Sequence, residues 1–274
     1  MSMPDEKIFP HATGFAAKTV EDHQQPQDLV FYSGWVRVYK GSDYRACLTV
    51  STQFCPFVQR AWITLEEKGI PYQYKEVNPY KKEKHFLAIN PKGLVPAIEY
   101  QGKALYESLV LCEFLEDAYP SKSPHIYPSD PFTKAYVRIW VDHISKSIVS
   151  AFFRLIQAQE PDKQQEALES FNKSLAALAE KVKGPYFLGD EFSLVDIAIA
   201  PWVVRDYIAT ENRGYSREAV GAGWKDYCEV LEKRDSVLKT QSEKEHYAEI
   251  YGRYLRNEAQ SEAAKATRAG RAIP

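Results

Sequence analysis

Cys55 is followed directly by Pro56, and the pair opens a stretch in which Val58, Ala61, Trp62 and Leu65 recur at helical spacing until Gly69 stops it. A thiol attacks as its thiolate, and the unpaired N–H groups and dipole at a helix N-terminus favour that anion. Pro56 suits the first helical turn, where its missing N–H is no loss. A buried structural cysteine is the commoner fate of such a residue, so position alone leaves both readings open. Two more positions suit a peptide ligand. Pro96 stands where a strand over 97–100 begins and forfeits no ladder bond there. Were the Val95–Pro96 bond cis, the Val95 backbone would turn outward and offer its N–H and C=O, whereas trans is the ordinary state. Glu107-Ser108 begins a further helix, whose N–H groups suit a carboxylate while Glu107 suits an ammonium; plain capping is the bland reading. Together the three positions describe a site for a peptide with a thiol, an α-carboxylate and an α-amine.

The elements that must position these residues follow from pattern. Leu29–Tyr32 reads as a strand, Cys55–Lys68 as a helix, Tyr72–Val77 as a strand and Lys81–Ala88 as a short helix. Residues 94–100 and 104–105 flank Gln101-Gly102, a hairpin signature, and a helix runs from Glu107-Ser108 to Pro120. The order is a βαβ unit followed by an antiparallel hairpin and a covering helix. After residues 121–131 the strand signals vanish, and amphipathic helices are expected over Phe132–Gln157, Lys163–Val182, Leu194–Ala209, Trp224–Lys233 and Glu243–Asn257. The predicted organisation is a flexible arm over 1–27, an α/β domain over 28–122, an all-helical domain over 128–257 and a flexible tail over 258–274.

Composition excludes several classes. Of the 274 residues 45% are apolar and 26% charged, as in an ordinary soluble globular protein. A net charge of −2 gives no basic field to hold phosphates, so nucleic acid is not an expected partner. No apolar run is long enough to span a bilayer, and the first residues lack a secretory pattern, so no membrane partner and a cytoplasmic location are expected. Cys47, Cys55, Cys112 and Cys228 form no CxxC pair and no zinc-type cluster with histidine; the expected chemistry is monothiol and metal-free.

Three stretches resemble the omega class of glutathione transferases: Phe54-Cys55-Pro56-Phe57-Val58-Gln59-Arg60, then Asn90-Pro91-Lys92-Gly93-Leu94-Val95-Pro96, then Tyr106-Glu107-Ser108 with Cys112-Glu113-Phe114-Leu115-Glu116. A CPFxxR stretch alone is a weak signal; with GLVP and YES at compatible distances it is strong. The resemblance covers about Leu29 to Trp202. It implies an α/β thioredoxin-like N-terminal domain followed by an all-α C-terminal domain, the glutathione transferase fold. It implies glutathione as co-substrate and a Cys55–glutathione mixed disulfide as intermediate. Phe57, Lys82, Val95, Pro96, Glu107 and Ser108 become the glutathione-binding candidates, with Lys82 toward the glycine carboxylate, Val95 on the cysteine backbone and Glu107 and Ser108 on the γ-glutamyl end. The Lys81-Lys82-Glu83-Lys84 run could equally be a solvated face. The class implies thiol transfer, deglutathionylation, dehydroascorbate reduction and removal of glutathione from small adducts, by a homodimer acting on a small electrophilic or disulfide acceptor. A non-catalytic homologue storing aromatic metabolites is the alternative, and the related channel-like proteins a third.

In the helical half, Ser193 and Asp196 read as a capping box. Trp202 and Arg205 are acceptor-site candidates, against core packing for the tryptophan and a surface charge for the arginine; Phe153 and Tyr207 are weaker ones. One departure from the family pattern precedes the cysteine. Residues 36–53, VRVYKGSDYRACLTVSTQ, interrupt a segment that would otherwise run from Trp35 straight into Phe54. Their length and coding possibilities fit the translation of a retained intron. They also create a rival first strand, Ala46–Ser51; the Leu29 strand is the one expected.

Overall fold

The computed structural model describes residues 12–34, 55–77 and 83–274. The insertion at 36–53, the rival strand Ala46–Ser51 and Lys82 lie outside the described residues, as do residues 1–11 of the predicted arm. The described residues divide into two compact units, the first holding those from 12 to 125 together with Asp235–Tyr247, the second holding Ile126–Arg234 and Ala248–Pro274.

In the first unit the helix α1 (Gly14–Asp22) precedes β1 (Leu29–Gly34), α2 (Pro56–Lys68), β2 (Gln73–Val77), α3 (Lys84–Ile89), β3 (Ala97–Tyr100), β4 (Lys103–Tyr106) and α4 (Ser108–Ala118). The first strand is therefore the Leu29 segment. The sheet order is β2-β1-β3-β4, with β1 parallel to β2 and antiparallel to β3. Period-two alternation along β1 sorts its side chains. Leu29 and Phe31 pack with Val58, Trp62, Leu65, Leu111 and Leu115, while Val30 and Tyr32 face Phe86 and Ile89. The β3–β4 turn is Gln101-Gly102, both at positive φ (50° and 73°), as a two-residue hairpin requires. Gly69 ends α2 in the left-handed region (φ 57°), where Ile70 N–H closes onto Leu65 O.

The expectation of a flexible arm fails for residues 14–22, which form α1. Ala16 and Thr19 are buried, Thr19 Oγ1 donates to Lys239 O at 2.8 Å, and the His23 ring stacks on Tyr72 at 3.9 Å. These partners lie far along the chain, so no local pattern announces them.

The second unit is helical: α5 (Pro131–His143), a π-helical segment Ile144–Ile148, α6 (Val149–Gln157), α7 (Pro161–Ala179), α8 (Leu194–Val203), α9 (Tyr207–Arg213), α10 (Arg217–Val220) and α11 (Ala222–Glu232). After α12 (Asp235–Lys239), which belongs to the first unit, come α13 (Ala248–Leu255) and α14 (Glu262–Arg268). The expected single helix Leu194–Ala209 is two, because the Val203 carbonyl accepts from Arg217 Nη2 (3.1 Å) and from Asp206 N–H in a tight turn. The predicted flexible tail contains α14, capped by Ser261 Oγ on Ala264 N–H, and buries Ala263, Ala264 and Ala266.

Asp196 is the polar hub of this unit. Fully buried, its carboxylate accepts from Phe187 N–H, Ser193 N–H, Ser193 Oγ and Tyr227 Oη, all at 2.7–2.9 Å. Burial pushes its pKa up, and the hydrogen bonds from Tyr227, Ser193 and Phe187 pull the other way. Asp196→Ala strands all four donors, and a loss of about 3–5 kcal/mol is expected from urea unfolding. An unchanged midpoint would refute the hub.

Candidate active site

Cys55 occupies the N-cap of α2 with extended backbone (φ −75°, ψ 114°), and its carbonyl accepts the first intrahelical bond from Gln59 N–H at 3.2 Å. Its side chain is partly exposed, as is that of Phe57. The turn that Pro56 begins carries the positive end of the helix. The helix itself is buried almost all round, from Val58 through Leu65 and again at Lys68. Polar ties fix it. Gln59 Nε2 donates to Thr240 Oγ1 (3.3 Å), Ser236 Oγ donates to Glu67 Oε2 (2.6 Å), and Lys68 Nζ donates to Glu116 Oε2 (2.6 Å) and Lys122 O (2.9 Å).

Burial sorts the cysteines. Cys112 is inaccessible and its thiol is pushed up to about 11 by burial, against a 3.2 Å hydrogen bond from Thr64 Oγ1 and the nearby Arg60 charge. Burial likewise drives Cys228 well above the ordinary thiol range. Among the described residues Cys55 is the one partly exposed cysteine.

Arg60, a motif residue with no role assigned from the sequence, is 2% exposed, with Cζ 5.7 Å from the Phe57 ring centroid. Burial lowers its pKa to about 10, and the Cys112 and Cys55 sulfurs act in the opposite sense. Coulombic coupling is mutual, so the guanidinium that senses the Cys55 sulfur also favours its thiolate. The signal for it in the sequence was a charge set among Val58, Ala61 and Trp62 in the first half of the helix.

The peptide-binding candidates come from two turns. Asn90, 2% exposed, donates from Nδ2 to Leu94 O (2.7 Å), accepts Lys92 N–H on Oδ1 (3.0 Å) and accepts Gly93 N–H on its carbonyl (2.8 Å). Gly93 has φ 65°, a conformation that a residue with a Cβ would adopt only at a cost. The Val95–Pro96 bond is cis, and half-buried Val95 packs against both faces of the sheet. Glu107 precedes α4 at φ 77°, a region non-glycine residues rarely enter and one concentrated at ligand-binding sites. Its carboxylate pairs with Lys92 Nζ at 2.6 Å, and Ser108, the first residue of α4, is buried. In the second unit Trp202 is 2% exposed and Arg205 fully buried, with Arg205 Nη1 donating to Pro201 O at 2.6 Å. Arg205 is therefore not a surface charge, and Trp202 takes the packed position; Phe153 is buried and Tyr207 half-buried. Among the described residues no group of histidine, cysteine and acidic side chains could hold a metal ion.

A mixed sheet in the order β2-β1-β3-β4, a cysteine at the N-cap of α2, a cis-proline entering β3 and a following all-helical unit define the thioredoxin-like and helical domains of a glutathione transferase. Residues 54–118 match the model of the glutathione S-transferase N-terminal domain and residues 161–229 that of its C-terminal domain. Glutathione S-transferase omega-1 of Rattus norvegicus is 35% identical over 176 residues, 63% of this chain and 67% of the relative. A protein of Oryza sativa subsp. japonica described as "Probable glutathione S-transferase DHAR1, cytosolic" is 31% identical over 70% of this chain and 86% of its own length. The crystal structure of glutathione transferase Omega 3C from Trametes versicolor is 67% identical, covering 92% of this chain and 100% of that one, with a TM-score of 0.81. The chain belongs to the glutathione S-transferase family, in its omega class.

Replacing Arg60 by Met removes the buried cation coupled to the thiol. The pH at which Cys55 becomes alkylated by iodoacetamide is expected to rise by about one unit, the size of a single nearby opposite charge. Arg60→Lys should recover part of that shift. An unmoved alkylation profile in Arg60→Met would show that the charge does not act on the thiol.

Proposed function

We propose that this omega-class enzyme is a glutathione-dependent thiol transferase and reductase working through a Cys55–glutathione mixed disulfide. The observation that carries the reading is the partly exposed Cys55 at the N-cap of α2, beside the buried Arg60. The Cys55 thiolate attacks the glutathionyl sulfur of a mixed disulfide R–S–S–G. The new S–S bond joins Cys55 to glutathione, and R–S⁻ leaves and takes a proton. A second glutathione thiolate then attacks the glutathionyl sulfur, releasing oxidised glutathione and restoring the Cys55 thiolate. The net exchange is R–S–S–G plus one glutathione thiol giving R–SH plus oxidised glutathione, and the protein returns to its starting state.

Glutathione itself is assigned to Val95, Glu107 and Ser108, with Pro96 shaping the turn, Phe57 at the thiol and Lys82 toward the glycine carboxylate. The family relationship supports this assignment, as does the left-handed Glu107 that precedes α4. Deglutathionylation is the reaction this cycle performs; removal of glutathione from small adducts begins with the same attack on a glutathionyl sulfur, and dehydroascorbate reduction, which consumes two glutathiones, ends in the same resolution of the Cys55–glutathione disulfide. A homodimer is supported by α5, which leaves Phe132 81% and Ile139 63% exposed, two turns apart on one helix. A cytoplasmic location follows the reducing environment such a thiol needs.

Wild-type protein exposed to oxidised glutathione is expected to gain one glutathionyl adduct, mapped to Cys55 by mass spectrometry. Cys55→Ser should lose the adduct and at least about a hundredfold in turnover of a glutathionylated substrate, the minimum for removing a covalent nucleophile. Undiminished turnover in Cys55→Ser would overturn the reading, and bound aromatic ligands with no turnover in either protein would favour a storage role.

A further inference from the structure

Glu107, one of the proposed peptide-binding residues, forms an exposed ion pair with Lys92, and the geometry of that pair goes beyond capping. The two charges stand 2.6 Å apart with their side chains 52% and 44% exposed, so both remain open to a ligand. Neither is loosely placed. Asn90 Oδ1 fixes the Lys92 backbone at 3.0 Å, and Lys92 Nζ lies 5.9 Å from the Tyr106 ring centroid. Glu107 is held by its left-handed backbone between β4 and α4. The hydrogen bond to Glu107 raises the Lys92 pKa.

An adjacent cation and anion are the complement of a zwitterion. The γ-glutamyl end of glutathione carries an α-ammonium and an α-carboxylate on one carbon. Laid head to tail against Lys92 and Glu107, the four charges alternate around a square and every neighbour is attractive. Exposed ion pairs hold together by little, so admitting the ligand between them costs little. We propose that Lys92 is a substrate-binding residue of this site, taking the α-carboxylate of the γ-glutamyl group while Glu107 takes its α-ammonium. The proposal rests on the glutathione-dependent function and deepens it, since it makes the pair a selector for α-amino-acid zwitterions over simple acyl groups.

Calorimetric titration of the full-length protein with S-methylglutathione, which cannot form a disulfide, tests this. Lys92→Met is expected to weaken its binding about tenfold, the low end for a charge-assisted hydrogen bond because the pair is half exposed. The decarboxylated counterpart, 4-aminobutyryl-S-methylcysteinylglycine, should bind Lys92→Met and wild type alike, and Lys92→Arg should bind S-methylglutathione nearly as wild type does. Tighter binding by Lys92→Met would mean that the lysine competes with the ligand's ammonium, and the proposal would fall. Equal losses for both ligands would make Lys92 a support for Glu107 and would also overturn it, as would no loss at all. Failure of the underlying reading shows separately: Glu107→Gln would then bind S-methylglutathione and its deaminated glutaryl counterpart in the wild-type ratio.

Discussion

Everything in the first unit depends on presenting the end of one helix at a surface while burying its body. α2 is enclosed on nearly every side, yet its N-cap side chain is partly exposed. An amphipathic surface helix would need only one packed face. Full enclosure requires partners all round, and the fold supplies them from distant sequence. The sheet and α4 bring apolar contacts, Thr240 and Ser236 bring polar ones, and Glu116 neutralises Lys68 inside. A helix held this way cannot tilt or fray at its first turn without breaking several of these contacts together, so the amides beneath the thiol stay aimed. Preorganised amides and charge stabilise an anion without reorganising at the moment of reaction.

The same enclosure makes the chemistry selective among cysteines. Cys112 and Cys55 both sense Arg60, but burial outweighs the cation at Cys112, whose thiol rises to about 11 and stays protonated at neutral pH. Cys55, by contrast, is partly exposed and sits at a helix N-terminus. One buried guanidinium can therefore favour a single thiolate even with a second sulfur within its reach.

Much of this was legible in the sequence because it is local. Helical spacing after Cys55-Pro56, Gly69 as the stop, the Gln101-Gly102 hairpin and the Ser193–Asp196 cap each depend on residues a few positions apart, and each forms. What escaped is non-local. α1 exists because Thr19 and Thr13 find Lys239 and Glu243 more than two hundred residues away. α14 buries a row of alanines whose composition alone suggested a frayed tail. Arg205 lies in the turn between α8 and α9, where charge usually means solvent, and is instead fully buried. In the site, the motif residues were visible as types, whereas the Lys92–Glu107 pairing and the burial of Arg60 belong to tertiary placement.

The eighteen residues at 36–53 enter the chain at a junction whose two sides are anchored independently. β1 holds its full register through its own ladder bonds, Val30 to Gly34 against β2 and Leu29 to Tyr32 against β3. α2 is supported by Thr240, Glu116 and Lys122, all C-terminal to it in the chain, and the match to the N-terminal family model begins at Phe54. Lengthening a connection between two fixed points costs only about 1–2 kcal/mol of chain entropy, because closure entropy grows with the logarithm of length. The fold can therefore absorb the insertion.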